Sequence, residues 1–136
     1  MKYFNKKTVY QGIKFDSNAE RDRYIVLKDM ERRGEISGLV LQKYFEVLPK
    51  QVVYKTIKLK TKTKIIERVD EKAVGYHCDF YYYDCKRNVY VIEEVKSKET
   101  AKARDYPLRR KLVKLMIRRA NERSRNNYVF NEIIVK

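Results

Sequence analysis

Two neighbouring segments constrain the fold of this chain more than any other feature. Residues 75–84 and 89–97 are rich in Tyr, Val and Ile, and the polar stretch Cys85-Lys86-Arg87-Asn88 separates them. Aromatic and β-branched residues bounded by a short polar turn predict an antiparallel hairpin. A two-residue turn at Lys86-Arg87 and a four-residue turn at 85–88 give the same register: Asp84 faces Val89, Tyr83 faces Tyr90, and Asp79 faces Glu94. Directly opposed residues hold their Cβ atoms ~5 Å apart on one sheet face, where like charges destabilise the pair. Something must offset that repulsion, and a divalent cation is the simplest candidate. Lys96, two residues beyond Glu94, projects to the same face, with His77 opposite it.

The remaining segments place this hairpin in a sheet flanked by helices. Asp16 or Ser17 can cap a helix running to about Arg33, with Gly34 at its end and an apolar stripe of Tyr24, Leu27 and Met30. Residues 39–48 read as a strand ended by Pro49. Residues 51–61 and 64–69 read as two more strands, which can form a hairpin. A long helix follows over 106–123, with Pro107 in its first turn and Leu108, Leu112, Leu115 and Met116 as its buried face. A strand over 128–135 closes the chain. This order predicts an α/β class, with a mixed central sheet between helices.

The 136 residues suit a single domain, preceded by a mobile basic segment at 1–11. A 43% apolar content is too high for a disordered chain. No apolar run approaches the ~18 residues of a membrane span, and no signal-peptide core is visible. The chain therefore reads as soluble and intracellular. Cys78 and Cys85 form no CxxC pair and His77 is the only histidine, which argues against structural zinc and against a His-based triad.

Charge points to a partner. There are 33 Lys and Arg against 18 Asp and Glu, a net charge of +15. That excess fits a polyanion, with nucleic acid the first choice and an anionic membrane the second. Residues 102–125 hold ten bases and two acids. A second run, Lys55, Lys58, Lys60, Lys62 and Lys64, contains no acid. Its last four members alternate and would line one face of a strand. They either contact phosphates or guard a solvated strand from edge pairing.

Asp79, Glu94 and Lys96 suit Mg²⁺, a hard cation that takes carboxylate, water and phosphate oxygens. They also suit a plain ion-paired strand face, and the spacing alone leaves both readings open. Glu20 is similarly open. In Ser17-Asn18-Ala19-Glu20 it can complete a capping box, or it can turn inward with Tyr24 and Leu27 to join a metal site. Gln42 could touch the site or be an edge residue. Phe80-Tyr81-Tyr82-Tyr83 could stack on bases, or supply core.

These residues resemble a known superfamily. Tyr76-His77-Cys78-Asp79-Phe80 followed by Val91-Ile92-Glu93-Glu94-Val95-Lys96-Ser97 looks like the PD-(D/E)XK nucleases. More narrowly, the chain is similar to small phage and prophage proteins within that superfamily. Those begin with a helix carrying an inward Glu, then a glutamine-containing strand, then "xDF", "E(D/E)VKS/G" and a basic helix. Here the counterparts are Ser17 to Glu20, Gln42, Asp79-Phe80, Glu93 to Ser97, and Tyr106 to Met116, so the likeness covers about residues 12–135. Cys78 stands where the proline that names the motif would be, and that proline is often absent.

The resemblance implies a restriction-endonuclease-like fold and Mg²⁺-dependent phosphodiester hydrolysis, with Mn²⁺ as a substitute. It implies that Asp79 and Glu94 bind metal, that the Val95 carbonyl adds a ligand, that Lys96 is the catalytic lysine and that Glu20 is a third acid. His77 and Gln42 are accessory candidates. Lys58, Lys60, Lys62, Lys64, Arg109, Arg110, Lys111 and Lys114 are the candidate DNA contacts, made to backbone phosphates without sequence readout. With no sequence-reading module, the expected substrate is branched, flapped or Holliday-junction DNA in phage replication or recombination, inside a bacterial cytoplasm. Junction cleavage would call for a homodimer. The competing expectation is a non-catalytic DNA-binding module or a subunit of a larger phage complex.

Overall fold

Why the chain forms these elements can be followed from its N-terminus in a computed structural model, which describes residues 7–103 and 105–135. Residues 1–6 of the expected mobile segment, and Arg104 of the basic run, lie outside these. The rest of that segment is not loose: β1 (Thr8–Tyr10) and β2 (Ile13–Phe15) form an antiparallel hairpin. Gln11 and Gly12 both take positive φ (48° and 79°), the conformation that a tight two-residue hairpin turn requires.

Helix α1 (Asn18–Arg32) starts where Ser17 Oγ accepts the Glu20 N–H at 3.1 Å. It stops where Gly34 takes φ 78° and Glu35 N–H returns to the Met30 carbonyl, which closes the last turn. Its buried face is Glu20, Tyr24 and Leu27, with Met30 packed at the margin.

The central sheet contains β3 (Ile36–Leu41), β8 (Phe80–Asp84), β9 (Val89–Ser97) and β10 (Tyr128–Val135), in the order β10-β9-β8-β3. β10 runs parallel to β9 and the other pairs are antiparallel, so the sheet is mixed. The β8–β9 register is the expected one, from Asp84↔Val89 to Phe80↔Glu93.

Two expected strands are interrupted. The 39–48 strand divides into β3 and β4 (Tyr44–Leu48), and the 75–84 strand into β7 (Val74–His77) and β8. β4 and β7 pair with each other as a separate two-stranded piece. The breaks lie side by side: Gln42 N–H donates to the Asp79 carbonyl (3.2 Å) and Cys78 N–H to the Lys43 carbonyl (3.1 Å). Gln42 takes φ 55°, a left-handed residue that bends a strand as a bulge does.

The sheet is packed on both faces. Phe80, Tyr82, Val91 and Val95 meet Phe15, Tyr24 and Leu27 on the α1 side. Tyr76, Cys78 and Ile92 meet Val113 and Ile117 of α2 (Tyr106–Arg123) on the other. The expected inner face of α2 needs correction. Leu108 and Leu115 are exposed, Leu112 and Met116 are only half-buried, and Tyr106, Val113 and Ile117 point inward. At ~100° per residue the latter three share one line, and Leu108 and Leu115 lie across the helix from it. The Tyr106 hydroxyl donates to Glu132 on β10, which fixes that roll. The four-residue aromatic run is likewise divided. Phe80 and Tyr82 are core, while Tyr81 stacks on Tyr90, which stacks on Tyr128.

β5 (Gln51–Lys58) and β6 (Thr63–Glu71) form the expected hairpin, exposed on both faces. The lysine run does not line one strand. Lys58 ends β5, Lys60 and Lys62 sit in the turn, and Lys64 is the second residue of β6. The described residues make up one small α/β domain, with mixed sheet pairing and two α-helices. Among them no helix is long and apolar enough to cross a membrane.

Candidate active site

The paired breaks in the strands open the end of the sheet, and α1 begins beside the opening. A cavity of about 380 Å³ lies there. Glu20, Gln42, His77, Asp79, Glu94, Val95 and Lys96 all line it, together with Asp16 and Ser17 at the start of α1.

Asp79 reaches this cavity by a route other than the expected one. The β8–β9 ladder ends at Phe80↔Glu93, so Asp79 is not a ladder partner of Glu94. At the bend its N–H donates to the Glu93 carbonyl (3.1 Å), and its Oδ2 accepts the Val95 N–H at 2.8 Å. Gln42 Nε2 lies 3.5 Å from Oδ1. His77 is not opposite Lys96 either; it pairs with Tyr44 and reaches the cavity from β7.

Glu20 combines the two roles the sequence left open. Ser17 Oγ caps its N–H, which is half of a capping box. The Glu20 carboxyl turns inward, bonds the Asp16 backbone and meets Asp79.

The three carboxyl groups are buried, and burial is the main reason each titrates above its ordinary range. Glu94 is pushed up to about 7, by burial first and the charge of Asp79 second. Asp79 is pushed up to about 8 and Glu20 also titrates above its ordinary range, each mainly by burial, with the neighbouring Glu20 carboxyl adding to the rise of Asp79. Lys96 Nζ pairs with Glu94 Oε1 at 3.0 Å and lies 5.3 Å from the Tyr106 ring centre. Burial lowers its pKa, but the charge and hydrogen bond of Glu94, with Asp79 and Glu20 behind them, outweigh burial and hold it above the ordinary lysine value.

The donor set fits a hard divalent cation: three buried carboxyls, a neighbouring backbone segment and repulsion that a positive charge would relieve. The ligands are not arranged in advance. Among the described residues no three His, Cys, Asp or Glu side chains stand together at metal-holding spacing. Glu94 is held by Lys96 and by the Tyr76 hydroxyl.

Two features escaped the sequence reading. Tyr76 donates to Glu94 from β7, a contact visible only once the strand bends. Glu93, fully buried on the α1 face, accepts two bonds from Arg23 (2.8 Å each), one from Tyr82 (2.7 Å) and one from Asn131 (2.9 Å). Alternation along β9 did place Glu93 and Glu94 on opposite faces. Nothing in the sequence singled out Asn131.

The candidate DNA contacts lie elsewhere. Lys58, Lys60, Lys62 and Lys64 gather at the tip of the β5–β6 hairpin, and none lines the cavity. On α2, Lys111 and Lys114 are exposed. Arg110 turns toward Glu132 (3.8 Å), and Arg109 donates to the Gly75 carbonyl beside a second cavity that shares His77, Glu94 and Lys96 with the first.

A family model described as a protein of unknown function (DUF1064) matches residues 1–126. No curated protein and no solved structure matches the chain.

Proposed function

The chain belongs to the DUF1064 family, whose description assigns no activity, so the reading must come from the site, and we propose that the protein is a metal-dependent DNA endonuclease of the PD-(D/E)XK type on a restriction-endonuclease-like fold. One observation carries this: Glu20, Asp79, Glu94 and Lys96, from α1, a strand break and β9, converge on a single cavity. A binding scaffold needs no three buried acids held at the cost of raised pKa values.

Asp79, Glu94 and the Val95 carbonyl, with Glu20, would hold Mg²⁺, which supplies a bound water of lowered pKa and polarises the phosphodiester. The chain's own residues do the rest. To hold the ion, Glu94 would exchange its bonds to Lys96 and Tyr76 for it. Lys96 Nζ then orients the attacking water or balances charge growing on the phosphate oxygens. The water oxygen bonds to phosphorus as its proton passes to solvent, the bridging P–O bond breaks, and the departing oxygen takes up a proton from solvent. Exposed lysines on α2 and the β5–β6 tip hold the backbone. This gives affinity without sequence readout, so branched, flapped or four-way-junction DNA is the proposed substrate.

A second reading, a non-catalytic DNA-binding module, draws on the Lys96–Glu94 pair and the Tyr76 bond, which satisfy Glu94 without metal. Cleavage separates the two. Labelled duplex, flap, single-stranded and four-way-junction DNA are incubated with Mg²⁺ or Mn²⁺ and with EDTA. Metal-dependent cutting is expected, abolished in Lys96→Ala and Asp79→Asn, with salt-sensitive binding largely retained in both. Normal cutting by both variants would show that the site is misassigned. Tight binding without cutting of any substrate favours the module.

A further inference from the structure

The β5–β6 ribbon stands apart from the cavity and is exposed on both faces, although a two-stranded ribbon alone is marginal in water. Its register sorts the side chains. Toward the tip, one face pairs Val53 with Arg68, Lys55 with Ile66 and Ile57 with Lys64, each joining an aliphatic residue to a cation, while Gln51 pairs with Glu71 at the ribbon's base beyond a register shift. No acid interrupts these three pairs. The opposite face carries Tyr54 against Glu67 and Thr56 against Ile65. Among the described residues, none of Lys55, Lys64 and Arg68 has an ion-pair partner. The chain continues the charge past this face, with Lys60 and Lys62 in the turn that Leu59 N–H closes on the Lys62 carbonyl (2.8 Å).

We propose that the outer, acid-free stretch of this face is a grip for duplex nucleic acid, with Lys55, Lys64 and Arg68 set against backbone phosphates of a groove. A two-stranded ribbon fits the ~12 Å major groove of B-form DNA. The three aliphatic partners support the stems of the cations and leave their charged ends toward the phosphates. Single strands are gripped chiefly by stacking on aromatic rings, and this face has none, since Tyr54 is on the other side. The ribbon therefore selects duplex over single strand. The inference rests on the proposed nucleic-acid substrate but not on hydrolysis.

The test is fluorescence anisotropy of the full chain in EDTA, with a labelled duplex and one of its strands, across a potassium chloride titration. In the triple variant Lys55→Ser, Lys64→Ser, Arg68→Ser, the slope of log affinity against log salt for duplex should fall by about 2.7, three phosphate contacts at ~0.9 each. The preference for duplex should shrink with it. Tyr54→Ser with Ile65→Ser, on the opposite face, should keep the wild-type slope. A wild-type slope in the triple variant overturns the grip, as does a wild type that prefers single strand. So does loss of binding confined to the Tyr54, Ile65 pair together with a lower sedimentation coefficient, which would make the ribbon an interface between copies. A wild type that binds duplex with the expected slope yet cuts nothing with Mg²⁺ overturns the nuclease and leaves the grip standing.

Discussion

Glu94 shows what a side chain at the proposed metal site costs in stability. Folding buries it beside Asp79 and raises its pKa to about 7, from an ordinary value of ~4.3 in an unfolded chain. Between those values the folded state holds a proton that the unfolded chain has released. Stability must therefore fall as pH rises through that window. For Glu94 alone the loss across that whole window is on the order of 3–4 kcal/mol. Other carboxyls, such as Glu31 and Asp84, titrate low and contribute in the opposite sense. The prediction is therefore a difference: in metal-free protein, the fall in unfolding free energy from about pH 5 to about pH 8 should be smaller in Glu94→Gln than in wild type. Parallel curves by urea denaturation would show that Glu94 ionises normally. Mg²⁺, which needs deprotonated ligands, should raise the wild-type Tm more at the higher pH. Asp79, Glu94 and Lys96 stood out in the sequence as two acids and a lysine among Val, Ile and Tyr, but spacing left a plain ion-paired face open, and only the resemblance to the nucleases favoured Glu20 as a third acid. Their contacts left no such signal. Tyr76 and Gln42 reach the site only because both strands bend there, and a left-handed Gln leaves no compositional trace as a glycine would.

Elements were legible in proportion to the locality of their signals. Helix α1 was found from Ser17 and Gly34, and α2 from Pro107, because caps act on the backbone within a turn. The β8–β9 register followed from the length of its turn. The roll of α2 was misread because it has two apolar stripes, and the choice between them depends on Glu132 on a distant strand. The packing of α1 on β9 is equally non-local. It hangs on Arg23 and buried Glu93, an ion pair completed by Tyr82 and Asn131. Removing one partner of a buried pair leaves an uncompensated charge, at a cost of about 3–5 kcal/mol. Arg23→Ala should fall near the lower end, because Arg23 itself is about a quarter exposed. Glu93→Gln, which keeps a polar group for Tyr82 and Asn131, should cost less. The two unfolding midpoints in urea decide it. An Arg23→Ala protein as stable as wild type would mean the pair does not hold the helix. Since α1 also carries Glu20, loss of this anchor should loosen the cavity without touching any residue that lines it.

For the whole molecule, the cavity and the exposed cations lie apart, and the proposed function assigns them separate work. The acids gather at the open end of the sheet, and the free lysines gather on α2 and on a ribbon that does not line the cavity. That separation is why substitutions in the cavity should change cleavage and those on the ribbon should change salt dependence. It also bears on substrate. With one such cavity among the described residues, the proposed nuclease would make one cut per chain, which suffices for a flap. A four-way junction resolved symmetrically needs two cuts, hence two chains related by a two-fold axis. If the junction is the substrate, sedimentation of the Lys96→Ala protein with labelled junction should show two chains per junction, with both cuts appearing together in wild type. One chain per junction, or cuts that accumulate independently, would remove the junction and leave flaps and other single-cut branches. The sequence could not make this choice, because a two-fold interface needs only a self-complementary patch, whose chemistry does not differ from other half-apolar surface.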